Sequence, residues 1–517
     1  MDSTAPEAVI DSRYVRACDL HLEEPELQPF CLVIFGGVGD LSQRKLLPTL
    51  SHLFGNRELV QNFSILGVGR QELDDASYRN FIRKALDKYS EEPVDNEAWN
   101  GFAGHVYYHS MDVQKDHGYA ALRKKISGIT IPDDEGNKNV IYYMAVPPLL
   151  TPIIVKMMKT HGLSGNAFAA KILVEKPFGR DRSSAVELNR ILSDSFSDSR
   201  IYRIDHYLGK ETLQNLIFFR FSNNIFEPLW NRRYIDNVQI TVAESIGIEH
   251  RGAFYEQAGV VRDIVQNHIM QIIALVAMEP PVGFKADYVR DERVKVFRSF
   301  RPMDDSFIDE YTLQGQYGAG IVAGEEAIAY REEKNVAGDS VTPTFIAAKI
   351  YIDNWRWAEV PFYIRTGKRL AQRITNIVVQ FKQPPLRLFG GSGDQLYPNI
   401  LTLTIQPEEE ISLKMGIKYP HENNKIYQAD MKFNYNQNFG TKPHPAYERL
   451  ILDCLKGDQT LFAREDGIDA TWEMVDPMIK RWENNPNRNF PNYTAGTWGP
   501  AESDRLLEKE GRRWHTS

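Results

Sequence analysis

Between Arg203 and Glu211 the chain reads RIDHYLGKE, which gathers an aspartate, a histidine, a tyrosine, a lysine and a glutamate in one short stretch. An imidazole beside a carboxylate can serve as a general base, the partner fixing its tautomer. Asp205 and His206 offer such a pair, yet neighbours in sequence seldom face each other as a base and its orienting group must. A second candidate lies in RDIVQNHIMQIIALV (262–276), an otherwise apolar helical stretch that carries Asp263, Asn267, His268 and Gln271. At roughly 100° per residue Asp263 and Asn267 share a face, and His268 lies about 140° round from Asp263. These groups can line one cleft without forming one stripe. A histidine on so apolar a helix is more often a hydrogen-bonded core residue than a base. Residue types alone therefore leave His206 and His268 both open.

Other segments bring charge. After Gly209, KETLQNLIFFRF has helical spacing and sets Lys210 near a helix N-terminus. There a cation, His206, Tyr207 and free helix amides can cradle a phosphate. RTGKRLAQR (365–373) supplies Lys368 and Arg373, which can bracket an anion, and VAESIG supplies the carboxylate of Glu244. EKP (175–177) ends an apolar run, so Lys176 would project into a cleft, and the X-Pro bond there can be cis. No grouping of His, Cys and acidic residues shows the spacing of metal ligands, so no metal is expected. No G-x-S-x-G marks a nucleophilic serine.

These side chains need elements to hold them. Up to about residue 205, short apolar runs alternate with amphipathic stretches. CLVIFGG (31–37), FSILGVGR (63–70), NVIYYMAVPP (139–148) and AKILVEKPFG (170–179) read as strands, with helices such as DLSQRKLLPTLSHLF between them. That alternation points to a parallel sheet with helical crossovers. FGGVGDLS follows the first strand and opens a helix, the setting in which a glycine turn binds a dinucleotide. Gly36 permits the sharp turn, Gly39 lets amides approach a pyrophosphate, and Ser42 stands where helix and strand pack closely. The second strand ends GVGRQ, so Arg70 replaces the acidic residue that would hold an NAD ribose. An arginine fork suits a 2′-phosphate, which favours NADP over NAD. A second glycine cluster, FGGSGD (389–394), lacks a strand–helix setting and is set aside.

Beyond about residue 235 the pattern changes. VQITVAES, LTLTIQ and ISLKMGIK alternate strictly, the habit of antiparallel strands with one covered face, and TFIAAKIYID and NIVVQFK add more. The expected architecture is a polar lead-in (1–28), an α/β Rossmann-like dinucleotide-binding domain (29–205) and a larger α+β domain (206–517) on a mostly antiparallel sheet. A length of 517 residues is enough for at least two cores. The net charge of −8 leaves no basic footprint, which argues against nucleic acid or an acidic membrane surface as a partner. Cys18, Cys31 and Cys454 are widely spaced, with no C-x-x-C, which argues against a disulfide framework or a zinc ribbon. No run approaches the ~18 apolar residues of a membrane span, and the N-terminus lacks a basic-then-apolar leader. The expectation is a cytoplasmic protein.

Together these motifs resemble the glucose-6-phosphate dehydrogenase family, from about residue 30 to near residue 510. RIDHYLGKE is similar to that family's signature; GDLSQRKLLP, EKPFG, RDIVQNH, VPFYIRTGKRL and YERLILDCLKGD match further family stretches in order. The resemblance implies oxidation of β-D-glucose 6-phosphate at C1 to the 6-phosphogluconolactone with NADP, the first step of the oxidative pentose phosphate pathway, in a homodimer or homotetramer. It implies that His268 is the general base and Asp205 its orienting carboxylate. His206, Tyr207 and Lys210 would hold the sugar phosphate, and Glu244, Asp263, Lys368 and Arg373 the glucose hydroxyls and phosphate. Lys176 would lie between sugar and nicotinamide. Gly36, Gly37, Val38, Gly39, Asp40, Leu41 and Arg70 would line the NADP site. One position departs: the family usually has Ser or Thr at Val38, and valine cannot donate a hydrogen bond to a cofactor phosphate, which keeps NAD open as an alternative. A dehydrogenase of another sugar phosphate and a non-catalytic NADP-binding regulator are the competing readings.

Overall fold

β-Branched and aromatic runs closed by glycine, proline or a polar residue build the first sheet. A computed structural model describes residues 26–515, apart from 166, 387, 389–396, 422–424, 436, 438–444 and 488. Most of the polar lead-in, Cys18 and the FGGSGD cluster lie outside the described residues. β1 (Phe30–Phe35), β2 (Phe63–Gly69), β3 (Val106–Ser110), β4 (Asn139–Met144), β5 (Ala169–Val174) and β6 (Ile201–Arg203) pair in parallel in the order β3-β2-β1-β4-β5-β6. Every residue of β1 is buried, as a strand covered on both faces requires. The chain reverses its direction of winding between β1 and β4, and ligands of such sheets bind beyond the carboxyl ends at that switch point. The four strands expected here are present. β3 and β6 escape the sequence reading, the first because it ends in the polar His109 and Ser110, the second because it is three residues long.

The second half supplies β7 (Ile235–Ala243), β8 (Thr312–Gly315), the short β9 (Tyr317–Gly318), β10 (Gly320–Val322) and β11 (Glu325–Ala327), then β12 (Phe345–Ile350), β13 (Phe362–Gly367), β14 (Ile374–Phe381), β15 (Ile400–Gln406), β16 (Glu410–Lys418) and β17 (Ile426–Asn434). One sheet runs β17-β16-β15-β14-β7-β13-β12-β8. Its pairings are antiparallel except that of β7 with β13. In β15 Leu401, Leu403 and Ile405 are buried while Thr402 and Thr404 are half-exposed, as the alternation requires. The one parallel pair matters for the site. Ala243 and Gly367 end in register, so Glu244 and Lys368 emerge side by side.

Between β7 and β8 runs the most apolar helical segment. Glu249–Ala277 has the length and apolarity of a membrane span, but 94% of its most apolar window is buried inside the fold. Its centre, Val261–Ile269, is wound as a π-helix that continues into an α-helix, Met270–Ala277. Bonding from i to i+5 brings residues five apart onto nearly one face. The wide turn sets Asp263 and His268 closer in angle than the roughly 140° of an α-helix, in keeping with the expectation that both can line one cleft. Each perturbs the other's ionisation, and Lys176 faces both.

Candidate active site

β6 delivers the signature segment to the cleft. Ile204 N–H donates to the Val174 carbonyl at 2.9 Å, so the chain stays beside β5 as far as Asp205. Asp205 Oδ1 lies 2.5 Å from His268 Nδ1 and also accepts the Tyr207 N–H at 3.0 Å. The ring of Tyr207 stacks on that of His268 with centroids 4.3 Å apart, and His206 meets it edge-on at 4.5 Å. Asn267 Oδ1 accepts the His268 N–H at 2.7 Å. The imidazole is thus fixed on every side but one. Among the described residues neither its Nε2 nor Asp205 Oδ2 has a hydrogen-bond partner.

Electrostatics fit a base. Burial works against the Asp205 carboxylate, but the His268 ring and the donated hydrogen bonds outweigh it and hold the group down at about 2. Burial lowers His268 below the usual histidine range by more than Asp205 raises it. At neutral pH the ring is uncharged. An ionised carboxylate only accepts, so it takes Nδ1–H and leaves the Nε2 lone pair free. His206 is pushed well below the histidine range by burial and then by His268 and Lys176. Asp205, His206 and His268 bring ligand-capable atoms within 4.8 Å of one another, a proximity that spacing along the chain concealed. The short contact inside that trio joins imidazole to carboxylate.

A cationic corner lies beyond Tyr207. Lys210 immediately precedes the helix Glu211–Phe221, and its Nζ sits 4.4 Å from the centre of the Tyr207 ring. It donates to Gln406 Oε1, which Arg373 Nη2 approaches at 3.5 Å. Gln406 in turn donates to Thr375 Oγ1 at 2.9 Å. Burial and then Arg373 bring Lys210 down to about 8. Gln406 is a residue the sequence reading misses, because it looks like one more wet-face position of an alternating strand. Its place at a strand end, just before Pro407, is the signal that sets it apart.

Lys368 and Arg373 meet different partners, Lys368 two carboxylates and Arg373 the Gln406 amide. The Lys368 ammonium is held between Glu244 Oε2, to which it donates, and Asp263 Oδ2 at 3.3 Å. Lys176, which follows β5 and enters a cis bond to Pro177, donates to the Asp263 carbonyl at 2.8 Å and to its Oδ1 at 3.2 Å. Burial disfavours the Asp263 charge, but Lys176 and Lys368 outweigh it and hold the group far below the carboxylate range. Alternating ammoniums and carboxylates of this kind can exchange hydrogen bonds with a run of hydroxyls.

On the sheet side, the glycine turn is shaped for a ligand backbone. Gly36 has φ +89°, and a Cβ there would stand 2.2 Å from the Ala145 carbonyl oxygen; one on Gly37 would stand 2.7 Å from Gly67 Cα. Ser42 is buried and its hydroxyl donates to the Gly36 carbonyl at 2.8 Å. A Cβ on Gly39 would stand 3.0 Å from the Gly36 oxygen. Asp40 is exposed, 3.8 Å from Arg44, and Leu41 is half-buried beside it. Val38 packs its side chain toward Gly69, and Arg70 is exposed just past the end of β2. Such a cradle, narrowed until no side chain fits, suits a dinucleotide pyrophosphate with Arg70 beyond it.

A glycine turn suited to a dinucleotide, a desolvated base and a cationic corner together fit a dehydrogenase of an anionic alcohol. Residues 33–215 match the NAD binding domain of glucose-6-phosphate dehydrogenase and residues 217–515 its C-terminal domain. The chain is 42% identical over 485 residues to glucose-6-phosphate 1-dehydrogenase of Bacillus subtilis, covering 93% of this chain and 97% of that protein. It is 44% identical over 486 residues to that of Aggregatibacter actinomycetemcomitans, with coverages of 94% and 97%. A solved glucose-6-phosphate dehydrogenase in complex with its substrate glucose-6-phosphate superposes at TM-score 0.85, with 33% identity over 95% of this chain and 100% of that one. The chain belongs to the glucose-6-phosphate dehydrogenase family.

Proposed function

We propose that the chain oxidises β-D-glucose 6-phosphate at C1 to the lactone, with His268 as the base and Asp205 as its orienting carboxylate. One observation carries this reading: a buried imidazole, tied at 2.5 Å to a buried carboxylate, whose other nitrogen has no hydrogen-bond partner among the described residues. His268 Nε2 takes the proton of the anomeric hydroxyl, and collapse to the carbonyl expels the hydride from C1. NADP, when bound, supplies the hydride acceptor. Gly36, Gly37, Gly39 and the amides toward Asp40 and Leu41 would hold its pyrophosphate beside Val38, and Arg70 its 2′-phosphate. Asp205 stabilises the imidazolium as it forms. Lys210, Arg373, Gln406, His206 and Tyr207 would hold the phosphate, remote from the reacting carbon, and so convert binding into alignment. Lys176, Asp263, Lys368 and Glu244 would meet the sugar hydroxyls.

The remaining parts of the proposal are a domain boundary at residues 205–206, a cytoplasmic location and a homodimer or homotetramer. Ile417 on β16 and Tyr427, Met431 and Phe433 on the edge strand β17 are exposed, which supports assembly through the large sheet. Purified protein mixed with NADP and glucose 6-phosphate should generate NADPH absorbance. His268→Asn should lower kcat by about 10²–10⁴-fold while substrate affinity stays. Silence of the native protein at millimolar substrate would sink the reading.

A further inference from the structure

One carboxylate in the cleft has no part in the scheme above. Glu175 follows β5 directly and precedes Lys176, at the carboxyl ends of the parallel strands, where the ligand of such a sheet lies. The phenol of Tyr143, on β4, donates to Glu175 Oε1 at 2.5 Å. Tyr447, from the helix Ala446–Lys456, also bonds this side chain. Among the described residues no salt bridge reaches Glu175, because Lys176 turns its ammonium to Asp263. The titratable and charged groups that face it are Tyr143 from β4, Tyr447 from the 446–456 helix, Lys176 from its own turn and Asp205 from the end of β6. Phenol donors fix a carboxylate in place without cancelling its charge.

A desolvated charge without a counter-ion is costly until a cation meets it. The nicotinamide ring is a cation before it accepts hydride and neutral afterwards. We propose that Glu175 is a cofactor-discriminating residue whose carboxylate favours the oxidised nicotinamide over the reduced one. It draws NADP⁺ in and eases NADPH out. This inference rests on the reading that NADP occupies the end of the parallel sheet. Burial outweighs the phenols and Lys176 and lifts Glu175 to about 7. The sign follows: the carboxylate ionises as pH rises through that value, so the preference for the oxidised form grows with pH.

Titration of the protein with NADPH, read by its fluorescence, followed by displacement with NADP⁺, yields both dissociation constants. The phosphates are common to the two ligands and cancel in the ratio Kd(NADPH)/Kd(NADP⁺). In the native protein this ratio should rise about five- to tenfold between about pH 6 and about pH 8.5, the scale of one partly screened charge pair. Glu175→Gln should hold it at its low-pH value throughout, and Glu175→Asp, which restores the charge, should restore the rise. A ratio that titrates in Glu175→Gln as in the native protein, or equal loss of both forms, overturns the inference. Should Glu175→Gln not fold, Tyr447→Phe serves instead: it removes one donor to the carboxylate and should move the midpoint to higher pH, and an unmoved midpoint is equally fatal. A flat ratio in a native protein that turns over glucose 6-phosphate overturns this inference and spares the activity. A native protein that binds neither nucleotide overturns both.

Discussion

Replacing Asp205 by asparagine removes one charge from the proposed base and leaves its geometry in place. Asp205 Oδ1 takes two donors, His268 Nδ1 at 2.5 Å and Tyr207 N–H at 3.0 Å, and an amide oxygen accepts both. The amide nitrogen then falls where Oδ2 stands, an atom with no hydrogen-bond partner among the described residues. What disappears is the attraction for the imidazolium. Charge centres about 4 Å apart at an effective dielectric constant near ~20 attract by about 4 kcal/mol. If between half and all of that charge has developed in the transition state, the loss is about 2–4 kcal/mol, or about 30- to 900-fold in kcat. KM for glucose 6-phosphate should change less than about threefold, because the cationic corner is untouched. Asp205 raises the proton affinity of His268, so its neutralisation should move the acid limb of the kcat/KM profile to lower pH. Initial rates of NADPH formation across the pH range read both effects. A kcat within about threefold of native, or an acid limb displaced upward, would refute the coupling of these two residues.

Lys210→Ala should raise KM by about 10- to 150-fold with little change in kcat, since a hydrogen bond to a charged phosphate is worth about 1.5–3 kcal/mol. Because Lys210 sits at about 8 and is charged only below that value, kcat/KM should decline on the alkaline side, and Lys210→Arg should abolish that limb. Arg70→Ala should weaken NADP binding about 10-fold or more and leave NAD binding unaltered, as measured by titration with each nucleotide. Val38→Thr should tighten NADP about three- to tenfold by restoring a hydroxyl at the phosphate turn; unchanged affinity would show that the hydroxyl does not reach the ligand.

The parallel half and the glycine turn were legible because their cause is local. A strand buried on both faces must be apolar throughout, and a turn that approaches within 2.2 Å of a carbonyl where a Cβ would stand must be glycine. RIDHYLGKE was likewise legible as a charge-rich segment beside a helix start, where Lys210 immediately precedes Glu211–Phe221. Three parts of the site were not. The π-winding of Val261–Ile269 leaves no mark in a periodicity count that assumes an α-helix, so Asp263 and His268 read as able to line one cleft but not as sharing a face. The pairing of Glu244 with Lys368 follows from the single parallel contact of β7 with β13, between strands more than a hundred residues apart. Gln406 reads as an ordinary wet-face residue until Lys210 and Arg373 are seen converging on it.

Three carboxylates in this cleft show why residue type alone does not set charge. Burial pushes all three toward the neutral form. Asp263 meets two lysine ammoniums and is held far below the carboxylate range. Asp205 meets an imidazole and a backbone N–H and settles at about 2. Glu175 meets chiefly phenols, which donate hydrogen bonds but carry no charge, and burial wins. The ordering follows the charge the partners carry or can take up with a proton, not their number. It also fits the three tasks proposed above for Asp263, Asp205 and Glu175. Moving Lys176 from Asp263 to Glu175 would erase the distinction, and its two hydrogen bonds to Asp263 are what keep it from doing so.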